Sequence, residues 1–382
     1  MSMLAASHTV RPAAALDCEI KVVAHDSSQW ESIRPIWSEL VEASKCSFFV
    51  TAEWIETWLE VFGSHLDPSI LIVERLGQPI GACLLVMRRP ARGFLSIRRM
   101  SMNASGEPAS DTTYVEFNDI LSRAGWEGPV AEAVVEFLKA QQWDELTLEG
   151  FTMGPAYESF KTAFPTLLTG ETVHTCHYVD LAAIRESGKA YESVLKGKAL
   201  KHLRQNRRYY SESGPIELQV AKDLTGAFAM FDELAELSKA RCVGKRRWPI
   251  FSSPRFVAFH RALIRRCLHQ GTVQLLRVSA GKETIGILYN LVLRGKVYFY
   301  QCGYGYSTDA RLSPGKVALS QTIQYCLDAG YDEFDFLSGG AKYKQWMSTG
   351  SRTLAWVTFR KRAARVWLLS AFGRIKASVK LT

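Results

Sequence analysis

The feature that most constrains this chain is a unit written twice. "WSELVEASKC" (37–46) resembles "FDELAELSKARC" (231–242), and "FFVTAEW" (48–54) resembles "IFSSPRF" (250–256). "LIVERLGQPIGACLLVM" (71–87) lines up with "LLRVSAGKETIGILYNLVL" (275–293), each reading as strand, glycine turn, Ile-Gly and second strand. "FLKAQQWDELTLEG" (137–150) parallels "YCLDAGYDEFDFLSG" (325–339), each a helix end feeding a strand through an aromatic-Asp-Glu triplet. Four matches in one order point to an internal repeat; the alternative is two α/β lobes that arose separately. Each copy reads as helix, helix, strand hairpin, further strands, helix, strand. The paired strands are apolar on both faces, as in a sheet covered by helices on both sides. The expected fold is therefore α/β, with two tandem lobes over 20–180 and 190–362, each a mixed sheet covered by helices, behind a disordered start at 1–19.

A length of 382 residues suits two cores, and 47% hydrophobic with 22% charged residues describes an ordinary globular protein. The net charge of +9 favours an anionic partner: a phosphorylated cofactor, nucleic acid, an acidic carrier protein or a membrane surface. Eight cysteines without a CxxC pair argue against a zinc ribbon or a disulfide framework and for a reducing compartment. His174, Cys176 and His177 are the one cluster of ligand type, but on a strand His177 points away from the other two, so no metal is expected. The start, "MSMLAASHTVRPAAAL", lacks the apolar core of a signal peptide, and no apolar run approaches the ~20 residues of a spanning helix. The expected location is cytoplasmic. At the other end, residues 363–382 can place Val366, Leu369, Phe372 and Ile375 on one helical face beside several cations. That pattern reads as a basic amphipathic helix for peripheral contact with the inner membrane face, or as a last helix packed on its own domain.

The copies differ most where chemistry is expected. In "SPGK", Ser313 suits a helix N-cap, Pro314 the first helical position, and Gly330 closes the helix. That helix start presents free amides, Gly315 lets an anion approach the backbone, and Arg311 and Lys316 add positive charge, which makes a phosphate cradle or simply a cap. In "QCGYGYS", Gly303 and Gly305 interrupt an aromatic strand (Tyr298, Phe299, Tyr300), the sign of a bulge, a close ligand approach or a strand end. "KGKALKHLRQNRRYY" spreads Lys198, Lys201, Arg204, Arg207 and Arg208 along a helix. Arg241, Lys245, Arg246, Arg247 and Trp248 form a second basic cluster where the first copy has only Lys45, which reads as an acceptor- or carrier-binding loop.

Together, "SPGKVALSQTIQYCLDAGYDEFDFLSGGAKYKQW", "FFVTAEWIETWLEVFG" and "RQNRRYYSESGPIEL" resemble the CelD/BcsL-type acetyltransferases, a branch of the GNAT superfamily related to the tandem FemAB-like aminoacyl transferases. The resemblance spans about residues 20–360. It implies two GNAT-like acyltransferase lobes and direct transfer of an acyl group from a thioester to an amine or hydroxyl, in the setting of cellulose or exopolysaccharide production. The donor would be acyl-CoA or acetyl-CoA, or the phosphopantetheine of an acyl carrier protein; the acceptor would be a small molecule or saccharide. Arg311 matches the first position of the superfamily's pyrophosphate pattern, while Pro314 and Lys316 replace its later small residues. Asp335, Gly339, Tyr343, Lys344 and Trp346 match the family's strand end, but Gly340 and Ala341 stand where acid is usual.

Acyl transfer needs the acceptor deprotonated, the oxyanion stabilised and the leaving sulfur protonated. Asp335 fits the base role if burial raises its pKa, or pairs with Arg or Lys. Tyr343 fits the acid role, or packs the lobe. Lys344 is read as holding a phosphate or the acceptor's carboxylate, Trp346 as flooring the acceptor site or filling core, and Arg204, Arg207, Arg241 and Trp248 as substrate contacts. Backbone N–H groups near Gln301 to Gly305 would stabilise the oxyanion. The competing readings are an aminoacyl transferase using charged tRNA, which the lack of a coiled-coil insertion disfavours, so that nucleic acid is not the expected partner, and a non-catalytic module that binds carrier or polysaccharide.

Overall fold

The computed structural model describes residues 8–10, 20–89, 91–92, 95–243, 249–307, 309 and 311–361. The chain forms two compact units: residues up to Val173 together with Leu354 onward, and His174–Thr353.

In the first unit the strands run, edge to edge, His8–Val10, Ile20–Asp26, Pro68–Arg75, Gln78–Arg88, Arg99–Met102, Glu145–Thr152 and the Leu354–Arg360 part of the last strand. All pairings are antiparallel except Arg99–Met102 with Glu145–Thr152. In the second unit the order is Ile216–Val220, Val273–Ala280, Glu283–Leu293, Lys296–Tyr304, Glu333–Asp335, and then the end of Leu168–Asp180. Here too one pair is parallel, Lys296–Tyr304 with Glu333–Asp335. The shared order reproduces the repeat read from the sequence, with one difference at the boundary. Leu354–Arg360, which the sequence reading gave to the second lobe, pairs with Glu145–Thr152 in the first, burying Ala355, Val357 and Phe359 among Phe151, Phe160 and Phe164. The expected disordered start lies largely outside the described residues, and the amphipathic helix at 363–382 entirely so.

The helices repeat for local reasons. In the first copy Thr51 accepts from Trp54 N to open Ala52–Trp58, and in the second Ser253 accepts from Phe256 N to open Pro254–Cys267, with Pro254 at the first position. The apolar positions of Trp30–Glu42 recur at helical spacing, burying Trp30, Ile33, Trp37, Leu40 and Val41. Behind the second sheet, the imidazole of buried His260 bonds Tyr289 Oη at 3.2 Å and Tyr300 Oη at 3.3 Å. Burial holds its pKa down, to about 3, so this core histidine is neutral. Among the described residues no helix is long and apolar enough to cross a membrane.

Candidate active site

The second unit's parallel pair is short. Lys296, Val297 and Tyr298 face Glu333, Phe334 and Asp335, and there the ladder ends although Lys296–Tyr304 continues. Past Asp335 the backbone turns to the other neighbour, with Phe336 N donating to His177 O at 2.9 Å, and Leu337 takes a positive φ of 59°. The side vacated by the partner strand is taken up by a side chain. Lys344 Nζ, buried, donates to the carbonyls of Phe336 (2.8 Å), Leu337 (3.2 Å) and Ser338. An ammonium whose three donors are so engaged does not hold a substrate phosphate or carboxylate, which corrects the reading of Lys344 as a ligand contact.

Asp335 is wholly buried and accepts from Leu337 N at 2.8 Å. Its carboxylate lies 3.4 Å from Lys296 Nζ and 3.7 Å from Arg352 Nε. Burial raises its pKa, and the two cations work against that rise. Of the two readings of Asp335, the geometry supports the ion-paired brace: it is sealed from the open cleft described below. Tyr343, on the short helix Lys342–Met347, is half-buried with its ring edge-on to Phe336 (centroids 6.4 Å). Burial lifts its pKa further above the ordinary phenol value, Cys302 adds to the rise and Arg241 opposes it. Its proton is therefore held throughout the physiological range.

Several of the expected donor contacts have other work. Gly303 stays in register with Ile287, and a Cβ there would meet Leu234 O at 2.7 Å; at Gly305 it would meet Thr284 O at 2.4 Å. These glycines admit the chain's own backbone, not a ligand. The bulge lies beside them, where Tyr289 faces Gln301 and Asn290 faces Phe299. Ser313 occupies the N-cap position of Pro314–Asp328 without a side-chain cap bond; instead its N–H donates to Asn206 Oδ1. Gly315 packs under the Tyr304 ring, which a Cβ would approach to 3.2 Å, so its smallness serves Tyr304. Arg311 folds onto Asp309 (2.6 Å) and lies 4.8 Å over the Tyr209 ring. Arg207 pairs with Glu192 and donates to Ser320 Oγ at 3.1 Å, which makes it an internal brace; exposed Arg204 reaches the same glutamate at 3.8 Å. Arg241 stands 5.7 Å over the Tyr306 ring. Trp248 lies outside the described residues.

Lys316 and Trp346, by contrast, come together. They line an open cleft of about 1270 Å³ with Tyr178, Lys189, Lys196, Lys198 and His202, and Trp346 is 53% exposed there. Ile184, Val194 and Ala199 supply apolar wall. None of the four lysines pairs with a carboxylate among the described residues, and the one lining carboxylate, Asp180, caps Ala183 N at 2.9 Å. The arrangement offers uncompensated positive charge beside an apolar surface, which suits a ligand with phosphate at one end and an uncharged arm. Lys189 and Lys196 escaped the sequence reading because they sit in a linker; the legible signal was Gly197–Ser211, whose first turn carries no acid.

The first unit has the same three-residue parallel pairing, Arg99 to Glu145 through Ser101 to Thr147, but its gap is closed by main chain. Asn118 N donates to Gly150 O and Thr152 N to Asn118 O, both at 2.9 Å, while the Asn118 side chain bonds Met102 O and Asn103. At Gly150 a Cβ would lie 2.4 Å from Val115 O. No arm can enter there.

Residues 197–345 match the family described as "Acetyltransferase (GNAT) domain". Among solved structures, FemX is similar at 10% identity and a TM-score of 0.53, over 85% of this chain and 95% of that one. The C-terminal domain of a putative lysylphosphatidylglycerol synthetase from Agrobacterium fabrum is similar at 11% identity and 0.52, over 90% and 96%. A conserved protein of unknown function from Bacteroides thetaiotaomicron follows at 8% and 0.50, over 86% and 97%. No curated protein matches. The fold is two tandem α/β lobes, and the match to the acetyltransferase (GNAT) domain falls in the second, which supports an acyltransferase.

Proposed function

We propose that the second lobe moves an acyl group from a thioester, on coenzyme A or on the phosphopantetheine of a carrier protein, to an amine or hydroxyl of a saccharide or amino-acid-like acceptor. The likeness to the CelD/BcsL-type acetyltransferases gives this a setting in exopolysaccharide or cellulose production. The observation that carries the reading is the open cleft rimmed by Lys189, Lys196, Lys198 and Lys316, none of which pairs with a carboxylate among the described residues. The lysines take the donor's phosphate, and Ile184, Val194 and Ala199 flank its uncharged arm.

In the transfer, the acceptor's nitrogen or oxygen bonds to the acyl carbon as the carbon–sulfur bond breaks. Tyr343 gives its proton to the departing sulfur and regains one from water, while the acceptor's proton goes to a separate base. Asp335 is enclosed and cannot take the acceptor's proton. The imidazoles bordering the cleft are the bases this lobe offers: His202 on its wall, and His177, whose Nδ1 lies 3.4 Å from Ser348 Oγ. Proton transfer by a positioned group contributes about 10²–10⁴-fold.

The test is thiol release. The protein is incubated with acetyl- and long-chain acyl-CoA and with amino-sugar, polysaccharide and amino-acid acceptors, and products are identified by mass spectrometry. Acceptor-dependent release with an acylated product is expected. Donor binding without release from any pair would make the lobe a binding module and end the catalytic reading.

A further inference from the structure

The cleft accounts for Lys189, Lys196, Lys198 and Lys316, but not for the outward face of the helix beside it. Gly197–Ser211 carries five Lys or Arg and no Asp or Glu. Its buried Leu203, Asn206 and Tyr210 fix the inner side and turn Lys201, Arg204 and Arg208 to solvent. At 1.5 Å per residue these three cations span about 10 Å of surface. Lys201 and Arg208 pair with no carboxylate among the described residues, and Arg204 has only the 3.8 Å contact with Glu192. The helix start is charged the same way: Lys196 is the N-cap residue and Lys198 stands in a first turn without acid. Cations at the positive end of a helix dipole cost roughly 0.3–1 kcal/mol each. An exposed row of three cations on a helix that carries no acid fits an acidic partner better than it fits solvent.

We infer that this face docks an acidic carrier protein, which delivers its phosphopantetheine-linked acyl group into the adjoining cleft; the inference rests on the acyl-transfer reading above. Charge complementarity selects the acidic partner, and the cleft selects the carrier. One phosphate followed by a long uncharged arm matches an exposed lysine rim over Ile184, Val194 and Ala199. A nucleic-acid strand would instead bring a phosphate with every nucleotide past those apolar side chains. The chemistry is unchanged: the acyl carbon leaves the arm's sulfur for the acceptor, and the carrier departs with a free thiol.

The experiment compares one acyl group on two donors, an acidic acyl carrier protein and free coenzyme A, using the full chain and its Lys201→Glu/Arg208→Glu variant. Transfer from the carrier is expected to fall about tenfold or more and to weaken with salt, while transfer from coenzyme A stays within about twofold. The milder Lys201→Gln/Arg208→Gln variant, checked for an unchanged melting curve, should fall between. Equal losses on both donors, or use of acyl-CoA with no use of the carrier, would overturn the docking. So would RNA binding that this variant abolishes while the carrier shows no affinity. No turnover with either donor would count against acyl transfer itself, and calorimetry of carrier binding to the two proteins would then judge the docking alone.

Discussion

Lys344 Nζ donates to the carbonyl oxygen of Phe336 at 2.8 Å, and so ties the helix Lys342–Met347 back onto the strand end it follows. With Leu337 and Ser338 sharing the same ammonium, one side chain satisfies three backbone acceptors where the neighbouring strand has departed. Lys344→Met strips them all. A loss of about 2–4 kcal/mol is expected in urea unfolding, from the charged hydrogen bonds and the carbonyls left unpaired. An unchanged midpoint would remove Lys344 as the brace.

Tyr343 contributes its proton, not its bulk, to the proposed transfer. Tyr343→Phe keeps the edge-on contact with Phe336 and should lower kcat by about 10²-fold or more while leaving the donor KM unchanged. Because burial lifts the phenol further above its ordinary value of about 10, the wild type should show no loss of rate from Tyr343 ionisation between roughly pH 7 and 10. Equal damage to kcat and to donor affinity would assign Tyr343 to packing.

In the first unit Glu107 is buried, accepting from Thr113 N at 2.6 Å and Trp58 Nε1 at 3.3 Å, and burial pushes its carboxyl up to about 7. The folded state thus binds this proton more tightly than the unfolded chain, so stability is present in full below the ordinary carboxyl value and declines as pH rises through 7. Asp119, raised by burial to about 6, acts in the same direction. Glu107→Gln should flatten this decline, with melting curves of wild type and variant closer at pH 5 than at pH 8. Parallel pH profiles would show that Glu107 is not its source.

Both amide atoms of Asn290, wholly buried opposite Phe299 at the bulge, lack a hydrogen-bond partner among the described residues. A buried polar group in that condition costs about 1–3 kcal/mol. Asn290→Leu should raise the unfolding midpoint accordingly; a fall would reveal an ordered water held by the amide.

Much of the frame was legible because it repeats: the same apolar spacings, the caps Thr51 and Ser253, and two hairpins in one order leave few ways to fold. The parts that escaped depend on neighbours that sequence does not name. Gly303, Gly305 and Gly315 looked like room for a ligand, yet the atoms that need the room are Leu234 O, Thr284 O and the Tyr304 ring. Lys344 carried the chemistry of an anion contact, but its partners are carbonyls seven or so residues back along its own chain. Leu354–Arg360 has the composition of a strand in either lobe, and only pairing with Glu145–Thr152 assigns it. Trp346 and Lys316, read as contacts from residue type alone, do stay at the cleft surface.

Asn118 gives the first copy a permanent internal occupant of the place where its twin has a bridging side chain. A second lobe of the same strand order need not double capacity. A titration of the intact protein with donor should saturate at one equivalent per polypeptide, and the N-terminal half should contribute rigidity rather than a second turnover.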